Sequence, residues 1–94
     1  KLDDALKSYE KAISIKPDYH EAYNNLGNIL KALGRIDEAV KCYEQTLAIK
    51  PSFFQAHNNL GSALKELGQL DEEVLLLKAT YLLALYSQIT FYFQ

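Results

Sequence analysis

From Tyr23 to Leu47 the apolar side chains recur at helical spacing. Tyr23, Leu26, Leu30 and Leu33 form one stripe and Ile36, Val40, Tyr43 and Leu47 the next, which lays an apolar band along one face of each of two helices. Gly34 lies between them, and glycine accepts the left-handed backbone that closes a helix. The pattern predicts a hairpin of two antiparallel helices, and Gly68 predicts a second one at the same point of the following segment. Pro17 and Pro51 end the preceding helices, because the ring cannot donate to the helical ladder and pushes its neighbour out of the helical region. Asp18 with Glu21, and Ser52 with Gln55, put a capping oxygen and a reciprocal acceptor three residues apart, so helices should begin just after Asp18 and Ser52.

The pattern is periodic. Asn24-Asn25-Leu26-Gly27 returns as Asn58-Asn59-Leu60-Gly61, 34 positions later. Residues 20–40 laid on 54–74 match at twelve of twenty-one positions, and residues 1–19 laid on 35–53 match at eight of nineteen. Residues 1–19 therefore read as the second helix of a truncated repeat, 20–53 as a complete repeat and 54–87 as a divergent one. Gly27 and Gly61 lack a side chain inside a helix, a cost of about 1 kcal/mol against Ala. Close approach of the returning helix, at Ala39, is the expected reason.

A 34-residue period carrying Tyr23, Leu26, Gly27, Leu30, Ala39, Tyr43 and Pro51 resembles the tetratricopeptide repeat. Thr46 departs from the small residue usual at its position. The resemblance implies an all-α fold, an α-solenoid of antiparallel helix hairpins with about two and a half repeats. Each hairpin buries its stripe against its neighbours, and about three repeats are usually needed for stability.

After Val74 the likeness fades. Glu73 stands where Ala5 and Ala39 stand in the other copies, which would put a carboxylate opposite Gly61, at a cost of several kcal/mol if it were buried unpaired. Leu77 replaces Tyr43 and Leu85 replaces Pro51, and no later Gly or Pro stops a helix. Leu70 to about Tyr92 thus reads as one long apolar C-terminal helix, with 74–94 as a tail outside the repeat. A frame change, an alternative exon end or an added tag would leave the same signature. A helix apolar on nearly every face must be covered, so homo-oligomerisation or domain swapping through Leu75, Leu76, Leu82, Leu83, Tyr86 and Phe91 is expected. The charge-free run from Ala79 is sixteen residues, short of the roughly twenty that span a bilayer, which argues against membrane insertion.

Composition narrows the chemistry. Ten Lys and Arg against twelve Asp and Glu give a net charge of −2, without the basic field that nucleic acid requires. The single cysteine, Cys42, permits no internal disulfide, which favours the cytoplasm over an oxidising compartment. The chain has no Met and no charged-then-apolar leader, and it reads as a piece of something longer. His20 and His57 have no companions at metal-ligand spacing. Asp3, Asp4, Asp37, Glu38, Asp71 and Glu72 fall at helix starts, where they favour the helix dipole. Neither catalytic residues, a metal site nor a cofactor is expected.

What remains is a polar row. Asn24, Asn25, Asn28 and Lys31, then Asn58, Asn59, Ser62 and Lys65, fall away from the apolar stripes and would align when repeats stack. Amides donate and accept, so they can grip a peptide backbone without reading its side chains. The predicted function is a protein-interaction module that binds an extended peptide along a concave face; self-association through the final helix is the alternative. The family resemblance adds that Asn25 and Asn59 occupy the position that forms an asparagine ladder in the repeat array of O-linked N-acetylglucosamine transferase. Asn24 and Asn58 stand where chaperone-binding members carry a Lys of a carboxylate clamp.

Overall fold

The computed structural model describes residues 1–93; position 94, the last of the predicted tail, lies outside the described residues. It contains four helices in order, α1 (Leu2–Ile15), α2 (His20–Ala32), α3 (Ile36–Ile49) and α4 (Phe54–Tyr92). The fold is the predicted all-α array. Each helix packs on the next, and α2 also reaches α4. α4 has 39 residues, about 58 Å of helix, so the molecule measures 68 Å along its longest axis.

The α2–α3 hairpin shows how the repeat closes. Gly34 has φ +81°, the left-handed region that disfavours a side chain. Around it the Gly34 amide donates to the Lys31 carbonyl at 3.0 Å and the Arg35 amide to the Leu30 carbonyl at 2.9 Å, which satisfies two orphan carbonyls of α2. Leu26, Leu30, Ile36, Ala39, Tyr43 and Ala63 form the core, with Leu6, Tyr9 and Ile13 of α1 and Leu60 and Leu67 of α4 packed on it. On α3 the buried line is Ile36, Ala39, Tyr43 and Thr46, so the predicted stripe is right at Ile36 and Tyr43, while Val40 and Leu47 are half-buried. Thr46 is fully buried, and its hydroxyl donates to the Cys42 carbonyl at 2.9 Å, so a polar group lies in the core with its donor satisfied.

The predicted caps take a different form. α2 and α4 start one residue later than expected, at His20 and Phe54, and neither has a side-chain cap bond. Turns organise both starts instead: Tyr19 donates to the Lys16 carbonyl across Pro17, and Phe53 to the Lys50 carbonyl across Pro51, each at 3.1 Å. Proline fixes the backbone angle that the second residue of such a turn needs. Lys16 lies over the Tyr19 ring and Lys50 over the Phe53 ring, so the same cation–π pair recurs in both copies.

Two glycine expectations need correction. At Gly27 the returning helix that carries Ala39 does come close, and a side chain there would meet its Tyr43 ring, with Cε1 at 2.6 Å; the corrections fall on Gly61 and Gly68. At Gly61 nothing lies within 4 Å. Gly68 closes no hairpin, and α4 runs straight through it. Glu73 therefore does not face Gly61. It lies further along the same helix, exposed to solvent.

The residues that lock the first hairpin are missing from the second. The Tyr43 hydroxyl donates to Asn28 Oδ1 at 2.7 Å; the corresponding residues of the next copy are Leu77 and Ser62. Arg35 makes a two-pronged ion pair with Glu38, with contacts of 2.5 and 2.8 Å; Gln69 stands in place of Arg35. Ala39 is fully buried, and a returning helix would press Glu73 into its place. Keeping Gly68 helical costs about 1 kcal/mol, whereas burying the Glu73 carboxylate without a partner costs several. The straight helix wins, at the expense of leaving Leu70, Val74 and Leu77 in solvent.

Candidate functional site

The polar row lies across α2 and the first four turns of α4, and half of it is committed to the fold. Asn24 is buried at 5% exposure, which corrects the expectation that it faces outward. Asn59 Nδ2 donates to Asn24 Oδ1 at 3.1 Å, because a buried amide oxygen needs a donor and the next repeat supplies one. Further along, Lys31 Nζ donates to Ser62 Oγ at 2.7 Å and lies 3.3 Å from Glu66 Oε1. Those three side chains bind α2 to α4. The ion pair is half-exposed and contributes little by itself.

Asn28 is exposed, with its carbonyl oxygen held by the Tyr43 hydroxyl. Burial pushes the Tyr43 phenol above its usual pKa, followed by the charges of Cys42 and Glu66, so it keeps the proton it donates. Asn25 is half-buried, while Asn58 and Lys65 are exposed. None of these last three makes a side-chain hydrogen bond among the described residues. At the far end of the row an open depression of about 450 Å³ is lined in part by Lys31, Glu66, Leu70 and Glu73. The structure thus brings Asn24, Asn59, Lys31 and Ser62 together as an inter-repeat contact and leaves Asn25, Asn28, Asn58 and Lys65 as its polar surface. Sequence reasoning missed Glu66 as the partner of Lys31; the pairing joins different repeats and has no local signal.

Asn24→Ala and Asn59→Ala should each destabilise the chain by about 1–2 kcal/mol, and the double variant by less than their sum. Urea denaturation of the four proteins in the cycle checks this, with an expected coupling of about 1 kcal/mol.

The self-association residues Leu75, Leu76, Leu82, Leu83, Tyr86 and Phe91 are between 63% and 78% exposed, and at helical spacing they fall on about half of the circumference of α4. The histidines have structural contacts. His57 Nε2 lies 2.8 Å from the Pro51 carbonyl, and the His20 ring meets Phe53 edge-on at 5.0 Å. No cluster of three metal-ligating side chains occurs among the described residues. Cys42 is half-buried, and burial, followed by Glu38 and Glu10, raises its thiol to about 11. Relative to an ordinary thiol, its thiolate fraction at pH 8 is reduced roughly a hundredfold. Alkylation by iodoacetamide should slow by that order in the folded protein against the urea-unfolded one.

Models of the TPR repeat match residues 1–34 and 27–68, and a tetratricopeptide repeat model matches residues 54–86. The chain belongs to the tetratricopeptide repeat family. The match over 54–86 crosses a stretch that is one unbroken helix in this chain. The matching families are repeat families, and no catalytic family is indicated.

Among solved structures, crystal structures of MamA superpose with TM-scores of 0.70 and 0.69, both at 34% identity, covering 78% and 82% of this chain and 43% and 42% of MamA. The first TPR of Spaghetti (RPAP3), solved bound to the HSP90 peptide SRMEEVD, superposes with a TM-score of 0.70 at 31% identity, covering 72% of this chain and 54% of that one. The chain spans about half or less of the length of these relatives. No curated protein matches it by sequence.

Proposed function

We propose that the chain is a protein-interaction module whose polar face, on α2 and the first half of α4, holds an extended peptide. The supporting observation is that its amides are ordered before any peptide arrives. Tyr43 fixes Asn28 through the carbonyl oxygen, which leaves both N–H groups to donate. Asn24 fixes Asn59 through one N–H, which leaves the other N–H and the carbonyl. Amides already held in place lose little side-chain freedom on binding. Asn25 and Asn58 flank them, and Lys65 adds a positive charge for an acidic side chain of the peptide.

A related TPR domain is solved with a bound peptide, which supports a peptide as the partner class. The clamp position holds Asn24 and Asn58, with Asn24 buried, so recognition here rests on the peptide backbone and not on a terminal carboxylate. The ladder reading assigns Asn25 and Asn59 as the central grips. Peptide-array hits remeasured by fluorescence polarisation should weaken about tenfold in the Asn25→Ala, Asn59→Ala double variant, with circular dichroism confirming the fold. Binding unchanged in a folded double variant would refute the assignment.

A further inference from the structure

We propose that the distal half of α4, from Val74 to its end at Tyr92, together with the capping residue Phe93, enters a lipid bilayer as a membrane-spanning segment. The proposal is independent of the peptide reading. α4 contains an 18-residue window long and apolar enough to cross a membrane, and none of that window is buried in the protein. The twenty residues from Val74 to Phe93 are about 30 Å of helix, the thickness of a hydrocarbon core. This reverses the expectation drawn from the charge-free run alone, because the only charge in the longer segment is Lys78. Lys78 lies about 6 Å from the Val74 end, close enough for its ammonium to snorkel to the interface.

The distribution of exposed side chains selects lipid over a second copy. Leu76 and Leu83 lie on one side of the helix, Leu82 and Ile89 on another, and Leu77 and Phe91 on a third, each more than half exposed. A second helix covers one side and leaves the rest wet; acyl chains cover them all.

Two of the polar side chains fit as well. Thr80 Oγ1 donates to the Leu76 carbonyl at 2.9 Å and Thr90 Oγ1 to the Tyr86 carbonyl at 2.8 Å, so both hydroxyls are satisfied within the helix and need no water. Tyr92 and Phe93 fall at the interface opposite Lys78, where aromatic rings are favoured. The bilayer also covers Val74 and Leu77, which the straightened helix leaves in solvent.

The full chain carrying Leu83→Trp supplies the reporter, since the native sequence has no Trp. It is mixed from mild detergent into phosphatidylcholine vesicles, washed with alkaline carbonate and floated on a sucrose gradient. The chain should float, and the reporter should be quenched more by lipids brominated near the chain ends than by lipids brominated near the headgroup. Adding Leu82→Arg should lower the ratio of lipid-bound to free protein roughly a hundredfold. Protein that stays at the bottom of the gradient overturns the proposal. So does a water-soluble dimer that shields the reporter from acrylamide in the absence of lipid, which would assign the helix to a second copy.

Discussion

Tyr43→Ala should destabilise the chain by about 3–5 kcal/mol, the cost of emptying a large buried aromatic site. Tyr43 is fully buried, packs its ring against Gly27 and ties its hydroxyl to Asn28. A domain of this size has stability on the order of 5–15 kcal/mol in all, so the variant should lose much of its helical circular dichroism at 37 °C. Tyr43→Phe keeps the ring and removes only the hydrogen bond, and urea denaturation in mild detergent should give a loss of about 1 kcal/mol. If the two variants proved equally stable, the ring would not be the piece that locks the hairpin.

Alanine at Gly27 and at Gly61 should shift stability in opposite directions, although both glycines occupy the same place in the same four-residue motif. At either position alanine gains about 1 kcal/mol of helix propensity. At Gly27 the added methyl would lie 2.6 Å from the Tyr43 ring, and a buried ring tethered to Asn28 cannot swing away. Overpacking of this kind costs about 1–3 kcal/mol, so Gly27→Ala should come out destabilising by about 1 kcal/mol. Gly61 has open space around it, and Gly61→Ala should stabilise by up to about 1 kcal/mol. Melting curves of the two variants recorded side by side check the sign. Equal shifts would mean that a helix packs on Gly61 as Tyr43 packs on Gly27.

The contrast between these glycines shows where the sequence is legible. Periodicity, the apolar stripes and Gly34 lead directly to the first hairpin, because each is a local signal with one local consequence. The second hairpin fails for reasons spread over a whole repeat. Gly68 permits a turn but does not compel one. Whether the turn forms depends on what the returning helix would bury, and there Glu73, Leu77, Ser62 and Gln69 replace Ala39, Tyr43, Asn28 and Arg35. Glu73 marks the conflict in the sequence, but its resolution, a helix that continues instead of folding back, follows only from weighing glycine in a helix against a buried carboxylate.

The polar row divides in the same way. Its alignment is readable from the 34-residue offset, whereas the burial of Asn24 against Asn59 depends on how closely α2 and α4 approach. The helix starts lack the expected side-chain caps because Pro17 and Pro51 build turns whose backbone bonds replace the side-chain bonds that Asp18 and Ser52 could have made. The surface proposed for a partner is accordingly narrower than the row itself, and the proposal centres it on Asn25, Asn28, Asn58 and the unused half of the Asn59 amide.

All of this rests on a motif that closes into a hairpin in one copy and opens into a single helix in the next. Spin labels at Gln55 and Ser87, in a Cys42→Ala background, measure that difference by pulsed electron resonance. A continuous α4 puts the two positions about 48 Å apart, and the expected distribution centres there. A repeat that folded back at Gly68 would bring them within roughly 20 Å, and a distribution at that distance would contradict the account.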